Sequence, residues 1–563
     1  MAELNRDSKP RRLRARASGH IARLRAADRS GLALWPLAVA VGVITGYAVL
    51  GFMLAIAKLE QLFYGADMWT VHSHAATLDW WYLILVPVAG GLAVGQILRL
   101  APSRRARGID EVIQSAALKA GRVDERQGVA SALAAVVTLS TGGSSGREGP
   151  AVHIGAVIAS WVSQRIGAGG TTWRHLLGCA AAAAVSASFN APLAGALFAV
   201  EVVLRHYALR AFAPIVVASV AGAIISRIHL GDFPQLALPS HSIQFYWEMP
   251  AFGLLGIVCG LVGVAMMRGI FLAEQVGDRA QALLRLPDSL RPAAAGLFLG
   301  LIAIAFPHII GVGYETTFAV LRGSGFDFAT AVVFAVAKVV AVAVTFAGRM
   351  GGGVFSPAVM VGALTGAAFG DLALAIYPHM DGVASLYALA GMGAVAGAVL
   401  GAPISSTLIV FELTGDYQAA IAVVIAVSLA SVVSDRLVAR SFFLTQLARQ
   451  GLKLASGPQA YLAATVTVRD LMRPRGADNG APDAGCRELV DQGAALGPGD
   501  TLERALRMFE QLRGPYLPVL DRAGPGGPSR GTETPELLGA VFHVDALRAY
   551  NRVLEEEMRE EHT

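Results

Sequence analysis

Gly146-Arg147-Glu148-Gly149-Pro150-Ala151-Val152-His153-Ile154-Gly155-Ala156 recurs 207 residues on, from 146 to 353, as Gly353-Val354-Phe355-Ser356-Pro357-Ala358-Val359-Met360-Val361-Gly362-Ala363. Both copies read G-x-[E/F]-x-P-A-V-x-[I/V]-G-A. A second pair follows in the same order. Ala191-Pro192-Leu193, with Leu197 and Glu201, returns as Ala402-Pro403-Ile404, with Leu408 and Glu412, 211 residues on, from 191 to 402. Two motifs repeated in one order at nearly one offset divide the chain into homologous halves, about 31–225 and 250–440. Such repeats in membrane transporters put the substrate site between the halves, near the midplane.

In each copy, glycine-rich backbone runs straight into Pro150 or Pro357. Proline suits the first helical turn, where its missing N–H would have had no partner. Each copy therefore predicts a helix N-terminus buried in the membrane. Helix N-termini offer free N–H groups and about half a positive charge. Two of them converging make an anion site; a cation site would need carbonyl ends or carboxylate ligands instead. Glu148 sits inside that site. Its carboxylate would occupy the anion's place, and protonation would release it, which makes a gate. The plainer alternative is an acid in a first helical turn favoured by the dipole.

Composition sets the medium. Of 563 residues, 54% are hydrophobic and 15% charged, with 63 glycines; soluble domains carry about 25% charged residues. Disordered chains, disulfide scaffolds and small nucleic-acid-binding modules are excluded. Lipid suits most of the chain better than a very large apolar core. Apolar stretches alternate with polar breaks from about 31 to 440. They are clear at 32–57, 79–100, 128–140, 174–187, 211–227, 250–273, 292–309, 328–346, 385–400 and 417–437. Gly and Pro interrupt others, at 148–165, 192–205, 357–375 and 403–413. Short, broken helices at membrane depth point to a cavity or ion path. Residues 1–30 hold nine Lys/Arg against three acids. This arm is read as a cytoplasmic topology signal touching anionic lipid, with no nucleic-acid partner, and the run Leu32 to Lys58 as a retained first helix. Cys179, Cys259 and Cys486 lack metal-ligand spacing and are read as structural thiols.

The predicted fold is an all-α polytopic membrane protein of two inverted-topology repeats of tilted and broken helices. It comprises a transmembrane domain over 31–450 and a small cytoplasmic α/β domain over 456–563. The chain is placed in the cell (inner) membrane with both termini cytoplasmic.

These residues resemble the CLC family of chloride channels and proton/chloride exchangers. Gly146-Arg147-Glu148-Gly149-Pro150 reproduces its GREGP motif and Gly353-Val354-Phe355-Ser356-Pro357 its GxFxP motif. Phe189-Asn190-Ala191-Pro192-Leu193-Ala194-Gly195 is also typical. The resemblance covers about 31–450. It implies a homodimer with one chloride path per subunit, no cofactor and no enzymatic role. It implies that Glu148 is the gate, and that Gly146, Arg147, Gly149 and Gly353 with the amides of Val354 and Phe355 hold the anion. The family's GSGIP loop corresponds to Ala106-Arg107-Gly108-Ile109-Asp110. Arg107 stands where a serine hydroxyl binds the central anion, and Asp110 replaces the proline. The anion-binding tyrosine falls at Phe443, which has no hydroxyl. Either backbone amides suffice at this site, or Arg107 supplies charge; alternatively Arg107 is a loop charge beside Arg104 and Arg105. Exchangers of the family carry an internal proton-relaying glutamate. Here Val202 holds that position, which favours a gated channel over a proton-coupled exchanger. Pro150 is intact, unlike in fluoride-selective relatives, so chloride is the expected anion.

The tail resembles one reduced CBS domain, through Thr467 to Met472, Leu502 to Phe509, Leu517 to Asp521 and Gly539 to Asp545. Phe542 stands where a hydroxyl would grip a nucleotide, so the tail is read as a stabilising or dimerising module rather than a nucleotide site. Two other classes compete with transport. An intramembrane enzyme would have to use Glu148, Glu201 and His153, but HExxH, paired-Asp and Ser/His patterns are missing. A nucleotide sensor without transport would need an intact CBS element.

Overall fold

The computed structural model describes residues 34–67, 69–119, 121–168, 170–205, 209–231, 245–323, 326–376, 384–438, 440–452, 466–477, 479–512, 514–521 and 536–562. The basic arm over 1–30 lies outside these residues. The chain divides into two compact units, one within the residues up to Leu452 and one holding the C-terminal residues from Lys453.

The first half of the larger unit contains α1 (Leu34–Tyr64), α2 (Trp80–Arg99), α3 (Ile109–Leu118), α4 (Glu125–Ser140), α5 (Glu148–Ile166) and α6 (Gly170–Phe189). Then come α7 (Pro192–Phe198), running on as a π-helical turn over Ala199–Leu204, and α8 (Leu209–Leu230). The second half contains α9 (Phe245–Leu284), α10 (Arg291–Ala305), α11 (Tyr314–Leu321), α12 (Phe328–Ala347) and α13 (Phe355–Ile376). It continues with α14 (Ala384–Leu400), α15 (Pro403–Thr414), α16 (Tyr417–Val438) and α17 (Phe442–Arg449). Among the described residues, seven helices are long and apolar enough to cross a membrane. Apolar helices over Pro192–Leu204, Arg291–Ala305, Ser385–Leu400 and Pro403–Thr414 are shorter.

Three expectations need correction. Residues 148–165, 357–375 and 403–413 are not interrupted: α5, α13 and α15 are each continuous, and Pro403 is the first residue of α15. Pro150 and Pro357 are the third residues of their helices, so they start a helix instead of breaking one.

Large apolar side chains face outward from the spans, among them Trp80, Leu85, Phe298 and Val336. Polar and charged groups are drawn inward: Glu60, Arg147, Glu148, His153 and Lys338 are all at most 3% exposed. That inversion suits a lipid-facing surface around a polar interior. Helices meet through glycine where they pack closest. A Cβ at Gly366 of α13 would lie 2.1 Å from the Tyr387 carbonyl oxygen of α14, and one at Gly391 2.4 Å from that of Gly362. Small residues here let two backbones touch, the usual route to helix association in lipid.

The C-terminal unit is α/β. Strands β1 (Arg473–Pro474), β2 (Tyr516–Leu520) and β3 (Leu537–Phe542) form an antiparallel sheet in the order β1-β3-β2. Helices over Leu502–Leu512 and His543–His562 pack on it through Leu502, Phe509 and Ala546.

Candidate functional site

The two copies of the repeated motif meet each other. The Gly146 N–H donates to the Gly353 carbonyl at 2.7 Å, and the Gly353 N–H donates back to Gly146 at 2.8 Å, an antiparallel bridge. Side chains would block this approach. A Cβ at Gly146 would fall 2.7 Å from Glu148 Oε2, and at Gly352, whose φ is +141°, 2.0 Å from Ser145 Oγ. The bridge places the start of α5 against the start of α13.

Glu148 is the first residue of α5 and is 1% exposed. Its Oε1 accepts from the Tyr314 hydroxyl at 3.1 Å and from the Ser356 hydroxyl at the start of α13. Arg147 Nε lies 3.8 Å from the same oxygen. Oε2 has no hydrogen-bond partner among the described residues. A buried carboxylate is ordinarily paired on both oxygens; this one is held from one side only. Arg147 is itself buried. Its Nη2 donates to the Ser188 carbonyl at 2.9 Å, and its guanidinium lies over the Tyr314 ring, 4.8 Å from the centroid. Tyr314 and Ser356 were not found from the sequence. Ser356 stood inside the motif, where a hydroxyl in a first helical turn is a usable signal. Tyr314 is 166 residues from Glu148 and gave none.

A polar cavity adjoins this point. Arg107, Gly108, Ile109, Gly149, Gly353, Val354 and Phe443 all line it, with Arg105 and Arg349. The GSGIP-like loop, the GxFxP-like motif and α17 thus come together around one space. Arg107 faces that space, and its guanidinium is engaged. Nη1 donates to Asp110 Oδ2 at 3.2 Å and to Gln450 Oε1 at 2.8 Å. Asp110, in place of proline, also takes the Gly108 N–H at 3.1 Å. That amide is therefore satisfied from within the loop. Phe443 is 4% exposed and presents a ring edge-on to Phe442. Nothing in the spacing of Arg105 or Arg349 marks them as facing this cavity.

Phe355 and Arg147 face elsewhere. They line a second cavity with mostly apolar walls. The Phe355 ring packs 4.7 Å from Phe189 and 6.5 Å from Phe198.

Val202 lies in the π-helical turn and is 4% exposed. Its neighbour Glu201 takes the N–H groups of Ile404 and Ser405 at 3.0 and 2.8 Å, at the start of α15. Glu412, in the other half, takes the N–H groups of Leu193 and Ala194 at 3.0 and 2.8 Å, at the start of α7. Each half caps the other's helix, so Glu201 is committed to the fold. In the tail, Asp545 accepts from Arg473 Nε at 2.8 Å, and Arg473 lies 4.1 Å from the Phe542 ring centroid.

Comparison with known proteins covers most of the chain. The family described as voltage gated chloride channel matches residues 89–435, more than half of the sequence. A ClcB-like chloride channel protein of Ralstonia nicotianae is 31% identical over 424 residues, 73% of this chain and 95% of that one. The voltage-gated ClC-type chloride channel ClcB of Escherichia coli is 29% identical over 411 residues, 71% of this chain and 95% of its own. Among solved structures, a slow cyanobacterial Cl⁻/H⁺ antiporter aligns with a TM-score of 0.65 at 21% identity, over 74% of this chain and 97% of its own. A eukaryotic CLC transporter aligns with a TM-score of 0.63 at 19% identity, over 91% of this chain and 97% of its own. Sequence, repeat and fold agree: the chain belongs to the voltage-gated chloride channel, or CLC, family.

Proposed function

We propose that the chain is a gated chloride channel, a homodimer in the cell membrane with one path per subunit and Glu148 as each path's gate. One observation carries this reading. The Glu148 carboxylate is buried where two helix N-termini meet, beside a polar cavity lined by Arg107, Ile109 and Val354. Chloride entering from that cavity meets N–H-rich backbone and positive charge, and competes with the carboxylate for them. Protonation removes the competitor. Arg107 adds charge to the cavity, in place of a hydroxyl donor. Phe443 adds only a ring.

Channel is favoured over exchanger by Val202, which cannot carry a proton, and by Glu201, whose carboxylate is taken up in capping α15. The exchanger reading rests on a different pair. His153 Nε2 lies 3.2 Å from Glu111 Oε2, both buried, and such a pair could hold a proton off the Val202 position.

The test uses purified protein in chloride-loaded liposomes, with chloride efflux and external pH recorded together, with and without a proton uncoupler. Efflux that quickens in acid and moves no protons uphill is expected. Protons driven uphill by the chloride gradient would establish exchange, and loss of that coupling in His153→Ala would assign its route. Absence of chloride efflux would overturn the reading.

A further inference from the structure

Asp110, which stands in place of the loop proline, sits among the groups that would hold chloride. It is 4% exposed and lines the polar cavity beside the gate. Its Oδ1 accepts from the Gly108 N–H at 3.1 Å. Its Oδ2 accepts from Arg107 Nη1 at 3.2 Å and from Gln450 Nε2 at 3.3 Å. Gln450 Oε1 in turn accepts from Arg107 at 2.8 Å, so the three side chains close a ring. A backbone amide, a guanidinium and a carboxamide are donors that suit a small anion. Arg107, Gly108 and Gln450 all border the cavity an ion would enter, and all three are turned to Asp110.

A mobile chloride must take these donors from a carboxylate fixed to the same loop. The tether gives Asp110 a high effective concentration at them, and its charge repels a second anion. The plainer role is a cap for the first turn of α3, where acids are favoured. That role accounts for Oδ1. It leaves Oδ2 unexplained, which reaches back to Arg107 and across to Gln450, just past α17. Glu148 differs in one respect. Its Oε2 has no hydrogen-bond partner among the described residues, whereas both Asp110 oxygens are held. Glu148 is therefore placed to leave, and Asp110 to stay.

We propose that Asp110 is a built-in anion that lowers the affinity of the cavity for chloride, which makes it a specificity-determining residue of the path. The inference rests on the chloride path proposed above. A site that holds its ion weakly also releases it readily, as conduction requires.

The test is isothermal titration of sodium chloride into the full chain in lipid nanodiscs, in chloride-free gluconate buffer. Asp110→Ala should tighten chloride binding about tenfold, the worth of one charge-assisted contact. Asp110→Asn, which keeps the shape and loses the charge, should tighten it about threefold. Glu274 lines the same cavity but lies 3.7 Å from Arg449. Glu274→Gln removes a like charge without freeing Gly108, and should change affinity about twofold at most. If Asp110 were a cap alone, Asp110→Ala would loosen the loop and leave binding weaker or unchanged. Either result, or an equal gain in Glu274→Gln, would overturn the proposal. Should Asp110→Ala fail to fold, Asp110→Asn decides, and unchanged affinity there overturns it too. Glu148→Ala, titrated alongside, separates the two readings. Tighter binding in Glu148→Ala with no gain in Asp110→Ala would leave the gate standing and remove this inference. Absence of chloride binding in every variant would remove both.

Discussion

Residues 146–150 and 353–357 are built alike and tipped differently. Both begin at a glycine, both lead into a proline-bearing helical turn, and the two glycines bond to each other. At the third position one carries Glu148 and the other Phe355. The carboxylate is held by hydroxyls, one of them from the opposite copy, while the ring packs among Phe189 and Phe198. Elsewhere the halves stayed the same: Glu201 and Glu412 do one job in both directions. Both halves therefore share the glycine-led helix start. Only one of them carries a carboxylate at its tip.

Removing the difference should have the largest effect. In Glu148→Ala both tips are uncharged. A gate set by one proton changes its open fraction about tenfold per pH unit beyond its midpoint. Chloride efflux from liposomes at pH 7.5 should rise severalfold, on the order of a tenfold gain per 1.4 kcal/mol of gate closure removed, and its pH dependence should disappear. Efflux that keeps the same acid activation would take the gate away from Glu148.

Next comes the part that stayed symmetric. Glu201→Ala and Glu412→Ala each strip two N–H groups of their cap. Each should cost about 1–3 kcal/mol, read as the drop in melting temperature of the purified protein, with Glu201→Ala the larger because the Ser405 hydroxyl also donates to Glu201. A large drop in Glu412→Ala and none in Glu201→Ala would break the reciprocal-cap argument.

Tyr314→Phe sharpens the gate itself. Its hydroxyl is one of two that hold Glu148 Oε1 in place, so losing it should loosen the closed gate and raise chloride efflux at a fixed pH about twofold to tenfold, the worth of one hydrogen bond. Unchanged or slower efflux would mean that the hydroxyl does not act on Glu148. The smallest effect is expected at Arg107, already paired with Asp110 and Gln450. Arg107→Ser should weaken apparent chloride affinity about twofold to fivefold, the scale of a partly screened charge. Unchanged affinity by isothermal titration would reduce Arg107 to a tie between α17 and its own loop.

Most of this architecture was readable because it is local. A proline two residues after Glu148 or Phe355, preceded by glycine, marks a helix start whatever surrounds it. The same prolines misled where they were counted as breaks within 148–165 and 357–375. Glu201 and Glu412 were recognisable as a structural pair because repetition alone links them. Tyr314 and Ser356 were not, because their contacts with Glu148 span 166 and 208 residues. Nor did the sequence announce that Arg105 and Arg349 turn toward the same cavity as Arg107. Charged loop residues look alike until folding decides which way they face.

The reciprocal caps also bear on how the chain is made. When the first half leaves the ribosome, Glu412 does not yet exist. The Leu193 and Ala194 N–H groups then have no acceptor, and Glu201 has no helix to cap. Backbone groups left unsatisfied in hydrocarbon are costly. Neither half is complete alone, and each carries the other's missing piece. A nascent first half must wait in the membrane, and two fragments split in the connection between α8 and α9 carry the complementary parts to find each other.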